Sequence, residues 1–246
     1  VGSKKYYFDP SDGKAKTGWL TLDGKKYYFN DAGVMLADTI AAIDGTTYRF
    51  DSNGVATKTS SDNYTIDGNY VKVYDAKNGK YYYMEKQFIQ HPGIADGTVS
   101  DLDLLAAVCD AEAGDQGVIG MEAVALCVLN CTIDEYKEFP SQIRYVVYQG
   151  KPTQYAVVTD GALLKRLNGQ FEDRTNAYAA AKAAMEMFND YVNRGTKRSL
   201  PGFTTKDFNY KFFMTPAAFK AQNLNFSKLE YEQYKGHVFF VDWISG

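Results

Sequence analysis

Residues 18–29 read Gly18-Trp19-Leu20-Thr21-Leu22-Asp23-Gly24-Lys25-Lys26-Tyr27-Tyr28-Phe29, two short runs either side of an Asp-Gly step. Asp-Gly between alternating apolar runs favours a two-residue turn with positive φ, so the stretch reads as a β-hairpin. Its aromatic half recurs as Lys4-Lys5-Tyr6-Tyr7-Phe8 and as Thr46-Thr47-Tyr48-Arg49-Phe50, with equivalent positions 4, 25 and 46 set 21 residues apart. A fixed period near 20 residues marks a solenoid, whose stacked hairpins share a core that none could bury alone. The turn is repeated at Ile43-Asp44-Gly45. A weaker fourth copy follows at Ile66-Asp67-Gly68, with Asp75 to Gly79 and Tyr81-Tyr82-Tyr83 after it, so a β-hairpin solenoid is expected over residues 1–84.

Most of these rings are expected to form the shared core. The supply of tyrosine is nevertheless high, 20 residues, and partly exposed rings between hairpins make platforms for sugars or quaternary ammonium groups. The 18–29 stretch, with Gly33-Val34-Met35 after it, resembles the cell-wall-binding repeats of Gram-positive surface proteins, a family of choline-binding modules, glucan-binding repeats and clostridial toxin repeats. The resemblance implies a wall ligand held at Trp19, Tyr27, Tyr28 and Tyr48. In choline-binding members a Trp usually precedes the paired tyrosines and completes an aromatic cage. Lys5, Lys26 and Thr47 stand there in this chain, and Ile40 stands 21 residues after Trp19. The expected ligand is therefore a wall carbohydrate or teichoic acid rather than choline, and a spacer without ligand stays open.

A chain of 246 residues, 45% hydrophobic, is long enough for two ordinary domains with real cores. With 30 acidic against 27 basic residues it has no basic excess to suit nucleic acid. No apolar run reaches the roughly 18 to 20 residues of a membrane span. Val1 falls inside a repeat, ahead of its second half only, so the chain is expected to be a fragment or processed product of a secreted, wall-associated protein. The three cysteines, Cys109, Cys127 and Cys131, lie in apolar helical segments and read as buried thiols, since Cys127 and Cys131 at i,i+4 have poor disulfide geometry.

Residues 85–100 read as a linker, punctuated by His91-Pro92-Gly93 and Asp96-Gly97, and the texture then turns helical. Ser100 or Asp101 can cap a helix over Leu102 to Ala113, broken by Gly114-Asp115-Gln116-Gly117. A second helix, Val118 to Thr132, is apolar nearly all round and belongs in the middle of a domain. On the first helix Leu102, Leu105, Cys109 and Glu112 share one face by their 3, 4, 3 spacing, so an apolar stripe ends in a carboxylate. A negative charge in the last turn opposes the helix dipole. Partial burial raises a carboxyl's pKa, which is what a general acid needs near neutral pH.

Leu104-Leu105-Ala106-Ala107-Val108-Cys109-Asp110-Ala111-Glu112-Ala113-Gly114, then Gly120 and Ala123-Val124-Ala125-Leu126-Cys127-Val128-Leu129-Asn130, resembles the cell-wall hydrolases of the spore-cortex-lytic type. The likeness continues through Phe139-Pro140, Val146-Val147-Tyr148-Gln149, Gln154-Tyr155 and Gly236-His237-Val238-Phe239-Phe240. It differs at Cys131, where a basic residue is frequent in the family, and at Thr215-Pro216, where many members carry Asn-Pro. The resemblance implies that Glu112 is the catalytic acid and that the substrate is the peptidoglycan glycan strand, cut between N-acetylmuramic acid and N-acetylglucosamine. It implies a lytic transglycosylase, in which one Glu protonates the glycosidic oxygen and then deprotonates the 6-hydroxyl of the same sugar. No cofactor is implied.

Hydrolysis would instead need a second carboxylate. Asp110 is expected on nearly the opposite helix face and solvated, Asp115 in the following turn can reach a cleft, and Glu122 is explained by the dipole of its own helix. A hydrolytic muramidase or glucosaminidase therefore stays open, as does an inactive wall-binding protein. A zinc enzyme needs about three ligands, mostly His, and the chain has only His91 and His237, so no metal site is expected. A Cys109/His237 pair is a poor nucleophile, because Cys109 sits mid-helix among apolar neighbours.

The remaining segments complete an α+β, lysozyme-like, mainly helical catalytic domain over 101–246 with a small antiparallel sheet. Helices are expected over Ser141 to Gln149, Asn176 to Val192 and Ala217 to Ala221. In the second of these Ala179, Ala180, Ala183, Ala184 and Met187 would form the packed face. Strands Asn209 to Met214 and His237 to Trp243 are expected to pair antiparallel. Gln149, Gln154, Tyr155, Phe213 and His237 are the expected substrate-contacting residues beside Glu112, in a loop and on strands near the cleft. Spore germination, wall remodelling and phage-type lysis are all compatible uses.

Overall fold

The computed structural model describes residues 4–37, 39–43, 46–58 and 64–244. Two compact units divide the chain, Val1–Tyr64 and Thr65–Gly246.

In the first unit β1 (Gly18–Leu22) and β2 (Lys25–Phe29) form an antiparallel hairpin, with Trp19 opposite Tyr28 and Leu20 opposite Tyr27. Asp23 (φ 49) and Gly24 (φ 74) supply the two positive φ values that a type I′ turn demands. β3 (Thr39–Ile43), β4 (Thr46–Phe50) and β5 (Ala56–Lys58) make the next antiparallel sheet. Its expected turn residues, Asp44 and Gly45, lie outside the described residues. The 21-residue period also fixes the loops. The Asn30 side chain accepts from the N–H groups of Ala32 and Val34 at 3.0 and 2.9 Å, and Asp51 accepts from Asn53 and Val55 at 2.9 and 2.8 Å. These side chains hold the same turn in successive repeats. Phe29, Ile43 and Phe50 are buried between them.

The second unit opens with a third sheet, β6 (Tyr64–Asp67), β7 (Tyr70–Asp75) and β8 (Lys80–Glu85). Hairpin character thus reaches residue 85, yet this sheet packs with the helices, so the expected boundary at 84 is moved to 64. Val71, Val73, Tyr82 and Met84 are buried, the Tyr82 hydroxyl donates to the Phe139 and Lys137 carbonyls, and Met84 bridges Gln149. Asp75 accepts from the Ser141 N–H (2.5 Å) and hydroxyl (2.9 Å). Residues 85–100 are not a linker either. They carry α1 (Gln87–Gln90) and bury Phe88, Ile89 and Ile94, apolar side chains that a solvated linker would lack.

α2 (Asp101–Ala113) starts at Ser100, whose hydroxyl accepts from the Asp103 N–H, with Asp101 and Asp103 favourably placed in the first turn. A 3₁₀ turn over Gly114–Gln116 leads into α3 (Gly117–Cys131), in which every residue from Gly120 to Cys131 is buried. α3 is the axis of the unit, as its lack of a polar face requires. α4 (Ile143–Tyr148), α5 (Ala156–Thr159) and α6 (Ala162–Leu167) follow, then the long α7 (Arg174–Arg194) packed on α2 and α3. The packed face of α7 is Ala177, Ala180, Ala181, Ala184 and Phe188. Ala179 is exposed, and Ala183 and Met187 are only partly buried. Six alanines between positions 177 and 184 made the stripe ambiguous in sequence, and the larger Phe188 decides its phase. β9 (Phe212–Met214), α8 (Pro216–Lys220), β10 (Tyr231–Tyr234) and β11 (His237–Phe240) close the chain in a sheet ordered β10-β11-β9. The expected pairing is present, with Phe213 opposite Phe239, though both strands are shorter than expected. No helix among the described residues is long and apolar enough to cross a membrane.

Candidate active site

Glu112 sits in the last turn of α2, on the face that buries Leu105 and Cys109, and is itself half-buried. Burial disfavours its charged form and pushes its pKa up to about 7; the negative charge of Asp160 adds to the rise, and a hydrogen bond from the Val157 backbone N–H works against it. The carboxyl is therefore poised between acid and base at neutral pH, with no basic side chain in the last turn of α2.

Tyr155, immediately before α5, lies close enough to Glu112 to feel its charge. Burial in the first place, then the neighbouring thiols and Glu112, raises the Tyr155 phenol well above its ordinary value. The Tyr155 ring packs at 5.9 Å on Phe213, and Phe213 meets the His237 ring edge-on at 5.1 Å. Burial keeps the His237 pKa low, with Asp115 partly offsetting it, and its Nδ1 has no partner among the described residues. Glu112, Tyr155, Phe213 and His237, far apart in sequence, are thus brought into one connected series.

Gln149 and Gln154 are joined by a backbone bond of 3.2 Å from the Gln154 N–H to the Gln149 carbonyl. The Gln149 side chain is buried and donates to the Glu138 carbonyl at 3.3 Å, so it supports the loop rather than lining an open groove. Gln154 is half-buried and turned back on the Pro152 carbonyl. In the repeats, Trp19 contacts Tyr28 at 5.2 Å and Tyr48 at 4.5 Å, both edge-on. Tyr27, one residue from Tyr28 along β2, points to the other face of the hairpin and does not join this cluster.

The candidate second carboxylates fall out differently from the sequence reading. Asp110 is buried, not solvated. It accepts from Arg166 Nε at 2.7 Å and from the N–H groups of Glu172 and Asp173 at 2.9 and 2.7 Å, tying α2 to the α6–α7 turn. Asp115 is exposed and takes the Gln116 amide. Glu122 lies in the second turn of α3 rather than the first, buried, with its pKa raised by desolvation. Asp160, which caps the C-terminal end of α5, was not foreseen, because a four-residue helix gives no periodic signal.

Two supports were also missed. The Gln116 side chain accepts from the Gly236 N–H at 2.7 Å, and its carbonyl takes Lys235 Nζ at 2.5 Å, so the α2–α3 turn holds the β10–β11 turn and with it His237. Buried Asn130 donates to the Phe208 and Tyr210 carbonyls and accepts from Arg198, which in turn pairs with Asp207. The three thiols are buried and free, with Cys109 Sγ donating to the Met121 carbonyl, and burial raises the pKa of each above the ordinary thiol value. His91 is held by the Tyr148 hydroxyl at 2.7 Å and pushed down to about 4 by burial.

Residues 115–240, just over half of the chain, match the family described as Cell Wall Hydrolase. The chain belongs to the cell wall hydrolase family. Residues 16–61 match the choline-binding repeat, so this cell wall hydrolase is a peptidoglycan-degrading enzyme preceded by repeats of the wall-binding type. Among curated proteins none matches. Among solved structures, the hydrolase is similar to the catalytic domain of the germination-specific lytic transglycosylase SleB from Bacillus anthracis, with 17% identity over 57% of this chain and 93% of that chain (TM-score 0.37). It is similar to the choline binding domain of Spr1274 from Streptococcus pneumoniae, with 26% identity over 23% of this chain and 85% of that chain (TM-score 0.22). Choline binding protein F from Streptococcus pneumoniae is 27% identical over 33% of this chain, which spans 36% of that protein (TM-score 0.22).

Proposed function

We propose that this cell wall hydrolase cleaves the glycan strand between N-acetylmuramic acid and N-acetylglucosamine as a lytic transglycosylase, with Glu112 as its single acid/base. The observation that carries the reading is a half-buried carboxyl at the end of an apolar helix face, its pKa raised to about 7 and set beside Tyr155. Protonated Glu112 donates to the glycosidic oxygen as the bond from C1 of the muramic acid breaks. The resulting carboxylate takes the proton of the same sugar's 6-hydroxyl as O6 closes onto C1. No water is consumed, and the muramic acid leaves with a non-reducing 1,6-anhydro end in place of the free reducing end that hydrolysis would give. Phe213 and Gln154, both partly exposed, are proposed to line the sugar-binding side, with buried Tyr155 and His237 packed against Phe213. The repeats are proposed to hold the secreted enzyme on a wall carbohydrate or teichoic acid through Trp19, Tyr28 and Tyr48.

One observation favours a second reading. Asp160 acts on Glu112 through its charge, and a carboxylate pair is what hydrolysis by a muramidase or glucosaminidase uses. Mass spectrometry of muropeptides released from purified peptidoglycan by the native protein, Glu112→Gln and Asp160→Asn separates the two. Anhydro-muramic ends that vanish in Glu112→Gln and persist in Asp160→Asn are expected. Reducing ends that vanish in both variants would make Asp160 the base of a hydrolase.

A further inference from the structure

The sheet β6–β8 lies outside both matched stretches, 16–61 and 115–240. Its register is Tyr70 to Glu85, Lys72 to Tyr83 and Tyr74 to Tyr81, so alternation puts Tyr70, Lys72, Tyr74, Tyr81, Tyr83 and Glu85 on the face turned away from buried Val71, Val73, Tyr82 and Met84. Tyr74 and Tyr81 are 43% and 57% exposed and their rings meet at 5.0 Å. Lys72 Nζ stands 4.5 Å over the Tyr81 ring, while Lys151 Nζ stands 3.9 Å over Tyr83 and 4.5 Å over Tyr70. The face's carboxylate, Glu85, is taken by the Thr153 hydroxyl at 2.5 Å. Neither Lys72 nor Lys151 is in an ion pair among the described residues.

We infer that this face is a binding surface for the peptidoglycan strand itself, with tyrosine rings under the sugars and the two ammonium groups against stem-peptide carboxylates. Two observations choose this occupant. The first is charge: unpaired ammonium groups held over ring faces suit an anionic partner, and their aromatic surround suits the apolar face of a sugar. The second is continuity. Lys151 belongs to the loop that leads through Gln154 and Tyr155 to the Val157 N–H on Glu112, and the Gly150 N–H fastens that loop to the Tyr83 carbonyl at 2.8 Å. Gly150 lies so flat on the sheet that a Cβ there would meet the Glu85 N at 2.9 Å and the Tyr70 ring at 2.9 Å. The loop that carries Lys151 on this face is thus the one that runs on to the backbone N–H at Glu112. The inference rests on the proposed function in taking peptidoglycan as substrate.

The test uses the full chain carrying Glu112→Gln, which reads binding without cleavage, and soluble peptidoglycan strands free of teichoic acid, with and without their stem peptides. Adding Lys72→Ala and Tyr81→Ala is expected to raise the Kd for peptide-bearing strands about tenfold and that for stripped strands less. Tyr81→Phe, which keeps the ring, should restore most of the loss and exclude a folding defect. An unchanged Kd on these teichoic-acid-free strands, or an equal loss with and without stem peptides, would overturn the inference. Muropeptide release by the native protein is scored separately, so absent cleavage with intact strand binding refutes the catalytic reading and not this one.

Discussion

The charge of Asp160, at the end of α5, acts on Glu112, at the end of α2, and helps to hold the Glu112 proton in place near neutral pH. Burial is the larger cause of the raised pKa, and the Val157 N–H, from α5 itself, works against both. If protonated Glu112 starts the reaction, kcat/KM falls as pH rises through about 7. Asp160→Asn removes a negative charge that favours the proton, so the falling limb should move to lower pH. A pH–rate profile on soluble strands checks this, and a limb that stays in place would detach Asp160 from Glu112.

The same group links stability to pH. Its folded pKa lies above its unfolded value, so folding is penalised once the unfolded carboxyl ionises, and the penalty grows as pH rises from about 4.5 towards about 7. Glu112→Gln removes a charge that the fold accommodates poorly. The variant should gain ~2 kcal/mol over the native protein at pH 8, after allowing for the part of the carboxyl that meets water, and nothing at pH 4. Urea midpoints at the two pH values measure the difference.

Arg166→Ala is expected to be among the most damaging single changes. Arg166 pairs with Asp110, which is 1% exposed, and truncation would leave that carboxylate buried with its backbone donors only. Breaking one side of a buried pair costs about 3–5 kcal/mol. Thermal unfolding should fall by several degrees, whereas Glu172→Ala, at the solvated end of the same cluster, should change it little.

Wall retention by the repeats can be separated by hairpin face. Trp19→Ala removes the ring that joins Tyr28 to Tyr48, and Tyr27→Ala removes one on the opposite side. Co-sedimentation with intact walls should drop severalfold for the first and stay near native for the second. Equal losses would point to a general weakening of the stack.

The sequence was most legible where chemistry and period coincide. Asp23-Gly24 can make one kind of turn, and the 21-residue spacing of Asn30 and Asp51 returns as two loops with the same hydrogen bonds. Glu112 was legible as a carboxylate closing an apolar stripe, and α3 as an all-apolar axis. What remained hidden depends on partners distant in the chain. Asp110 looks like a surface residue until Arg166 and the Glu172 and Asp173 amides arrive 56 to 63 positions later. Asp160 belongs to a helix too short to carry a pattern, and the phase of α7 was masked by surplus alanine. The fourth hairpin was visible, but not its allegiance, because Val71, Val73 and Met84 suit a repeat neighbour as well as a helix.

That allegiance has a consequence for anyone cutting the gene. Asp75 occupies the loop position that Asn30 and Asp51 hold in the earlier copies, yet it has been recruited to anchor Ser141, and Tyr82 reaches the carbonyls of Lys137 and Phe139. The last copy of the series has changed employer, from tether to enzyme. A cut ahead of residue 64 leaves the sheet of the catalytic unit whole, whereas a cut at 85 would strip a wall from it.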